Sequence, residues 1–255
     1  MKPERLRRYE TEFAEIEGYC QPESAALWDF FFTTQEKLDV RGDLLEIGVW
    51  HGKTAVLNAL YARPEDQLYL IDHDMKEGAE LAVRRIRSSN NIFLKIRSAD
   101  ALRDPKLRDA PGSCRWIHVD GDHTGYSATQ DLHTAAHLVS ERGIICVDDF
   151  FNFRYPQVTA AVYRFLFDHS LEFRMLFCGA TKCYIVRAGA YAAYEKEVRQ
   201  SLPAHLELCG WKKQIYKTTY SSDMGCFAMW LGEHTKPIYG MDENPDFIPY
   251  KSKFD

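Results

Sequence analysis

Five short apolar runs recur between residues 44 and 149, and a helix-patterned segment follows most of them. The runs are LLEIGV (44–49), LYLIDH (68–73), IFLKIRS (92–98), RWIHVDG (115–121) and GIICVDD (143–149). The apolar spacing between them predicts helices over 53–62, 76–89 and 126–140. Such alternation builds βαβ units, because a strand reaches a parallel neighbour only through a crossover. Right-handed crossovers then place the carboxyl ends of all five strands on one rim. Gly143, after Glu141-Arg142, reads as a helix stop feeding the fifth run.

The flanks extend this core. Residues 2–18 are charged with helical spacing and predict a surface helix. Residues 24–38 hold Leu27, Trp28, Phe30, Phe31 and Phe32, an apolar helix packed on the core or on a partner subunit. A further helix is expected over 157–169. Two β-like runs flank Gly179-Ala180-Thr181 within 172–188 and predict an antiparallel hairpin at one sheet edge. A helix near 190–201 follows. From Trp211 the pattern turns irregular, with Pro237, Pro245, Pro249 and many aromatics, and suggests a flap, lid or dimer arm. The expected class is therefore α/β, a Rossmann-like, doubly wound, mostly parallel sheet closed by an antiparallel hairpin. The expected divisions are N-terminal helices at 1–40 as an acceptor cap or dimer contact, a core at 41–200, and a C-terminal extension at 201–255 belonging to the same domain.

Bulk properties narrow the function. A net charge of -5 gives no general attraction to nucleic acid or anionic membrane. The seven cysteines are an odd number without a C-x-x-C pair, which reads as reduced thiols rather than disulfides or a zinc site. MKPERLRRYETEF has no apolar signal region, and no apolar run is long enough to span a bilayer. The expectation is a cytoplasmic protein with no nucleic-acid or membrane partner, acting as a homo-oligomer, a dimer or higher.

The first strand leads into Gly48-Val49-Trp50-His51-Gly52-Lys53-Thr54. This is one residue short of a P-loop, and Trp50 breaks the pattern G-x-G-x-x-G. A glycine turn that opens a helix still suits a ligand carrying charge or hydroxyls. Ligands in open parallel sheets bind beyond the strands' carboxyl ends. Those ends carry Glu46, Asp72 with Asp74, Asp100, Asp120 with Asp122, and Asp148 with Asp149. Taken singly, each acid reads as a turn or cap residue; Asp100 is half capping in character and Asp74 a surface residue. Together they repel and call for a cation. That cation is either a hard metal ion, which takes aspartate oxygens, or an organic cation such as a sulfonium or amine. Asp72, about 20 residues after the glycine turn, stands where a carboxylate accepts both hydroxyls of a ribose.

EIGVWHG (46–52), Ile71-Asp72, VDGDH (119–123) and VDDF (147–150) together resemble class I S-adenosylmethionine-dependent methyltransferases. Within them the chain is similar to the macrocin O-methyltransferase-like branch, which is metal-dependent and acts on sugars of natural products. The resemblance spans roughly residues 40–190. It implies seven strands and a methyl donor lying over Gly48, Val49, Trp50, Gly52 and Thr54. Glu46 would sit near the donor's amino-acid end and Thr54 would bond its carboxylate. Asp72 would hold the ribose, and Ser98 to Asp100 would flank the adenine. Asp120, Asp148 and Asp149 would hold Mg²⁺ or another hard divalent cation, with Asp120 also beside the donor. Asp122 matches the general base, and His123 is a second candidate. His51 and His118 read as structural and Lys53 as a solvated helix residue; Trp50 packs on the donor, in the acceptor pocket or in the core. The acceptor implied is a small hydroxylated molecule. Two other readings stand beside this one. Asp120-Gly121-Asp122 is also a D-x-D motif of a sugar-nucleotide transferase, although Glu46 disfavours phosphate nearby. A non-catalytic adaptor would be expected to lose the acids at 120, 148 and 149, yet all are present.

Overall fold

The computed structural model describes residues 2–217, 225–229 and the backbone of 247–248. Eight α-helices are described: α1 (Glu4–Glu12), α2 (Pro22–Lys37), α3 (Lys53–Tyr61), α4 (Glu77–Ile86), α5 (Pro105–Arg108), α6 (Gly125–Leu138), α7 (Pro156–Asp168) and α8 (Tyr191–Leu208). Seven strands form the expected sheet: β1 (Asp43–Ile47), β2 (Leu68–Ile71), β3 (Asn91–Leu94), β4 (Cys114–Val119), β5 (Val139–Val147), β6 (Phe173–Gly179) and β7 (Lys182–Arg187). Their spatial order is β3-β2-β1-β4-β5-β7-β6. β1 to β5 pair in parallel and β7 lies antiparallel between β5 and β6. Chain order reverses between β1 and β4, which opens a crevice at the carboxyl end of the sheet.

Strand pleating sorts the core into two layers. Leu44, Leu70, Trp116, Ile144 and Cys146 face the layer that also buries α2, α3 and α8. Leu45, Ile47, Ile117, Val119, Ile145 and Val147 face α6 and α7. Side chains alternate between faces along a strand, and burial on both faces explains why these strands read as nearly unbroken apolar runs. α2 is apolar around its circumference because it is sunk in the first layer, with Trp28 and Phe31 fully buried. Its Pro22 opens the helix, where a missing amide costs nothing.

Two expectations need correction. Gly143 lies inside β5 and stops no helix. Pairing with β4 jumps from Cys114↔Val139 to Trp116↔Ile144, so β5 bulges before Ile144. A Cβ on Gly143 would meet Cys114 O at 2.6 Å and Val139 Cγ2 at 2.7 Å, so glycine is what lets the bulge close. The tail beyond Trp211, expected to be irregular, contributes three short strands. They are β8 (Ile215–Lys217), β9 (Phe227–Met229) and β10 (Phe247–Ile248), and they extend the sheet outward from β6. Pro237, Pro245 and Pro249 lie outside the described residues. The β6–β7 turn is as expected: Ala180 and Thr181 both have positive φ (51° and 58°), which matches the twist of a tight hairpin. No helix among the described residues is long and apolar enough to cross a membrane.

Candidate active site

A cavity of about 1260 Å³ opens at the carboxyl rim, across the β1–β4 crevice. Gly48, Val49, Trp50, Thr54 and Asp72 line one side, with Ser98 beyond them. Asp120, Asp122, His123, Asp148 and Asp149 line the other. Residues 17–21, between α1 and α2, form a further wall.

The glycine turn is held from both sides. Gly48 has φ +89°, and a Cβ there would lie 1.7 Å from Asp120 O, so only glycine permits β1 and β4 to leave the sheet in contact. Trp50 also has positive φ, 45°, which is costly for a bulky residue. The conformation is clasped by Asp72, whose Oδ2 accepts from Val49 N at 2.8 Å and Trp50 N at 2.7 Å. Its Oδ1 accepts from Asp74 N at 2.7 Å.

Three expected donor residues are not on the cavity wall. Glu46 points into the layer beneath α3 and is fully buried, because the pleat turns every second β1 residue that way. There its Oε1 accepts from Thr54 Oγ1 at 2.5 Å and its Oε2 from Asn58 Nδ2 at 2.6 Å. The Thr54 hydroxyl reaches the cavity wall but is committed to Glu46. Gly52 faces α4, where a Cβ would sit 2.8 Å from Ala79 Cβ; its role is helix packing. Asp100 turns away and pairs with Arg97 at 3.3 Å and Arg103 at 2.8 Å. Lys53, read as solvated, donates to Phe13 O and Ala14 O and anchors the end of α1.

The acids of β4 and β5 form two overlapping groups that share Asp120. In one, ligand atoms of Asp120, His123 and Asp149 lie within 4.8 Å of one another; in the other, those of His118, Asp120 and Asp148 do. His123 Nε2 is 2.8 Å from Asp149 Oδ2 and 3.7 Å from Asp120 Oδ1, and Asn152 Nδ2 donates to Asp149 Oδ1 at 2.6 Å. Asp120 and Asp149 push His123 up to about 10. Burial, followed by the charge of Asp148, pushes the Asp120 carboxyl up to about 6. Two aspartates with one histidine are a fitting donor set for a divalent cation. Asp122 stands at the rim, accepting from Thr124 Oγ1 and Ser127 Oγ at 3.0 Å each.

Asp148 is engaged differently. The ammonium of Lys182 rests on its Oδ2, its Oδ1 accepts from Asp149 N at 2.8 Å, and His118 Nε2 lies 3.6 Å away. Burial alone would raise the Asp148 carboxyl, but Lys182 and His118 hold it well below the ordinary carboxylate range. His118 in turn lies 3.7 Å from Glu46; burial lowers it, yet Asp148 and Glu46 outweigh that and push it up to about 9.

Sequence reasoning missed Lys182, Tyr155 and Asp131. Lys182 had one signal, a lysine set between a turn and the apolar run CYIV. Tyr155 stacks on His123, with centroids 3.9 Å apart and planes inclined by 14°. Its place 32 residues along the chain from His123 gave no signal. Asp131 is buried behind Gly121, where a Cβ would meet its Oδ2 at 2.4 Å, and burial pushes its carboxyl up to about 6.

Residues 45–150 match a family model described as a methyltransferase domain. Several solved structures share the fold. CalS11, a TDP-rhamnose 3'-O-methyltransferase of calicheamicin biosynthesis, is 16% identical over 72% of this chain and 86% of its own, with a TM-score of 0.53. A protein from Corynebacterium glutamicum is 14% identical over 73% of this chain and 91% of its own, with a TM-score of 0.54. The MycE methyltransferase of mycinamycin biosynthesis, solved with Mg, SAH and mycinamycin VI, is 14% identical over 73% of this chain, with a TM-score of 0.54. The match takes in 55% of MycE's length. No curated protein matches the sequence. The matched segment carries the glycine turn and the rim acids of β2, β4 and β5, and the solved structures share the fold around it.

Proposed function

We propose that this protein methylates a hydroxyl of a small acceptor, a sugar or a glycosylated natural product, using S-adenosylmethionine and a divalent cation such as Mg²⁺. One observation carries the reading. A single cavity joins the glycine turn and Asp72 to Asp120, Asp122, His123 and Asp149. Its volume of about 1260 Å³ exceeds the roughly 300–1,000 Å³ usual for one small ligand, so donor and acceptor fit side by side. The neighbouring folds whose names specify TDP-rhamnose and mycinamycin biosynthesis support the choice of acceptor.

In this reading, Asp72, oriented by the amides of Val49 and Trp50, positions the donor's ribose and Ser98 flanks its adenine. The donor supplies an electrophilic methyl group. Asp120, His123 and Asp149 would hold the cation, which when bound polarises and orients an acceptor oxygen. Asp122 takes the hydroxyl proton. His123 is the second candidate for that role; as a holder of the cation its lone pair would be engaged, which favours Asp122. Tyr155 holds the His123 ring flat, and residues 17–21 exclude water from the acceptor side. In this reading the acceptor cap expected of the 1–40 segment is supplied by residues 17–21. The remaining expectations, a cytoplasmic homo-oligomer without nucleic-acid or membrane partners, belong to the same proposal.

Calorimetry with S-adenosylmethionine and its demethylated product, followed by a labelled-methyl acceptor screen, tests the reading. Micromolar binding and transfer to a sugar hydroxyl are expected. Binding of a sugar nucleotide without any sulfonium ligand would sink it. Full activity after EDTA treatment would remove the cation, and Asp149→Ala is expected to abolish transfer while sparing donor binding.

A further inference from the structure

We propose that Lys182 is a built-in counter-ion that withdraws Asp148 from the metal set, leaving a divalent cation to Asp120, His123 and Asp149. The proposal rests on the cation-dependent reading above. It departs from the three-aspartate set that the sequence resemblance implies.

Lys182 opens β7, directly after the two positive-φ residues of the hairpin turn. Thr181 O also accepts the amide of Phe150, which ties the turn to the segment leaving β5. The ammonium is thereby delivered to Asp148 by backbone geometry rather than by a free surface side chain. Lys182 is 2% exposed, and its ammonium lies 5.8 Å from the centroid of the Trp28 ring. Leaving Asp148 would strand a charge that is almost wholly buried. Both Asp148 oxygens are occupied, one by this ammonium and the other by the Asp149 amide. A divalent cation bound to Asp148 would sit against the fixed ammonium and be repelled. Among the described residues Asp149 has no buried ammonium against it; its partners are the Asn152 amide and the His123 imidazole, which is itself a metal-ligating side chain.

The two groups around Asp120 are therefore not equivalent. The inner one, with His118 and Asp148, already holds a cation of the chain. The outer one, with His123 and Asp149, lines the same cavity without an ammonium of the chain against it among the described residues. It also contains a nitrogen ligand, which the three-aspartate set lacks.

Mn²⁺ binding to the full chain, followed by electron paramagnetic resonance, tests the proposal without relying on activity. Asp149→Asn is expected to weaken Mn²⁺ binding about 100-fold or more and Asp148→Asn less than about 3-fold, since only the former is a ligand. Lys182→Met frees Asp148 and is expected to tighten Mn²⁺ binding about 10-fold, or to create it if the wild type binds none. The double variant Lys182→Met/Asp148→Asn, which removes both buried charges, is expected to bind Mn²⁺ as the wild type does. Spin-echo modulation from an imidazole nitrogen is expected in the wild type and should vanish in His123→Ala. Loss of binding in Asp148→Asn matching that in Asp149→Asn overturns the proposal, as does unchanged or weaker binding in folded Lys182→Met. Absence of Mn²⁺ binding by the wild type would overturn the cation-dependent reading; gain of binding in Lys182→Met would then still uphold Lys182 as the excluding charge.

Discussion

Asp72 Oδ2 accepts the backbone amide of Trp50 at 2.7 Å and shares the same oxygen with the amide of Val49 at 2.8 Å. One carboxylate thus fixes a strained turn and faces the cavity where a ribose is expected. Asp72→Ala should lower both stability and donor affinity. Hydrogen bonds to charged groups are worth about 1.5–3 kcal/mol each, so an affinity loss of roughly tenfold or more is expected. Calorimetry with S-adenosylhomocysteine beside a thermal melt separates the two effects. Unchanged affinity in a folded variant would leave Asp72 as a turn clasp alone.

Much of this was legible in the sequence, and what was missed has a physical cause. Strand–helix alternation gave β1 to β5 because strands buried on both faces must be apolar throughout. The rim acids were legible because strand ends are fixed by the same runs. Glu46 was misplaced because an acid near a strand end looks like a rim acid. Only the pleat, read together with Leu44 on the same face, sends it under α3 to Thr54 and Asn58. Gly52 looked like a ligand glycine because the space it vacates is filled by Ala79, a residue on another helix. The pairing of Lys182 with Asp148 spans a hairpin and a crossover, so no local pattern announced it.

Gly48→Ala should be among the most damaging single substitutions. The new Cβ would lie 1.7 Å from Asp120 O, on backbone that cannot give way without parting β1 from β4. Positive φ adds strain of about 1–3 kcal/mol before the clash is counted. Insoluble protein, or an unfolding free energy from urea titration lowered by several kcal/mol, is expected. A variant of wild-type stability would show that the turn relaxes freely.

Glu46→Gln tests whether the buried carboxylate is structural. Both its oxygens accept hydrogen bonds, one from Thr54 and one from Asn58. An amide in its place turns a donor toward one of these donors, and an unsatisfied buried group costs about 1–3 kcal/mol. Urea unfolding is expected to register that loss, while donor affinity changes only through Thr54. Abolished donor binding at wild-type stability would instead restore Glu46 to the ligand.

His118 gives the fold a pH dependence whose sign follows from its neighbours. Burial opposes its charge, but Asp148 and Glu46 push it up to about 9 from an ordinary value of 6.5. The folded protein therefore holds this proton more tightly than the unfolded chain does. The stabilisation is fully present below about pH 6.5 and is lost as pH rises toward 9, because the unfolded state gives up its proton first. The span corresponds to roughly 3 kcal/mol at most. Thermal melts between pH 6 and 9.5 should show the wild type losing stability through this window. His118→Asn should be less stable at pH 6 and show a flatter profile, because Asp148 and Glu46 then face a group that does not titrate. Parallel profiles for the two proteins would place the titrating group elsewhere.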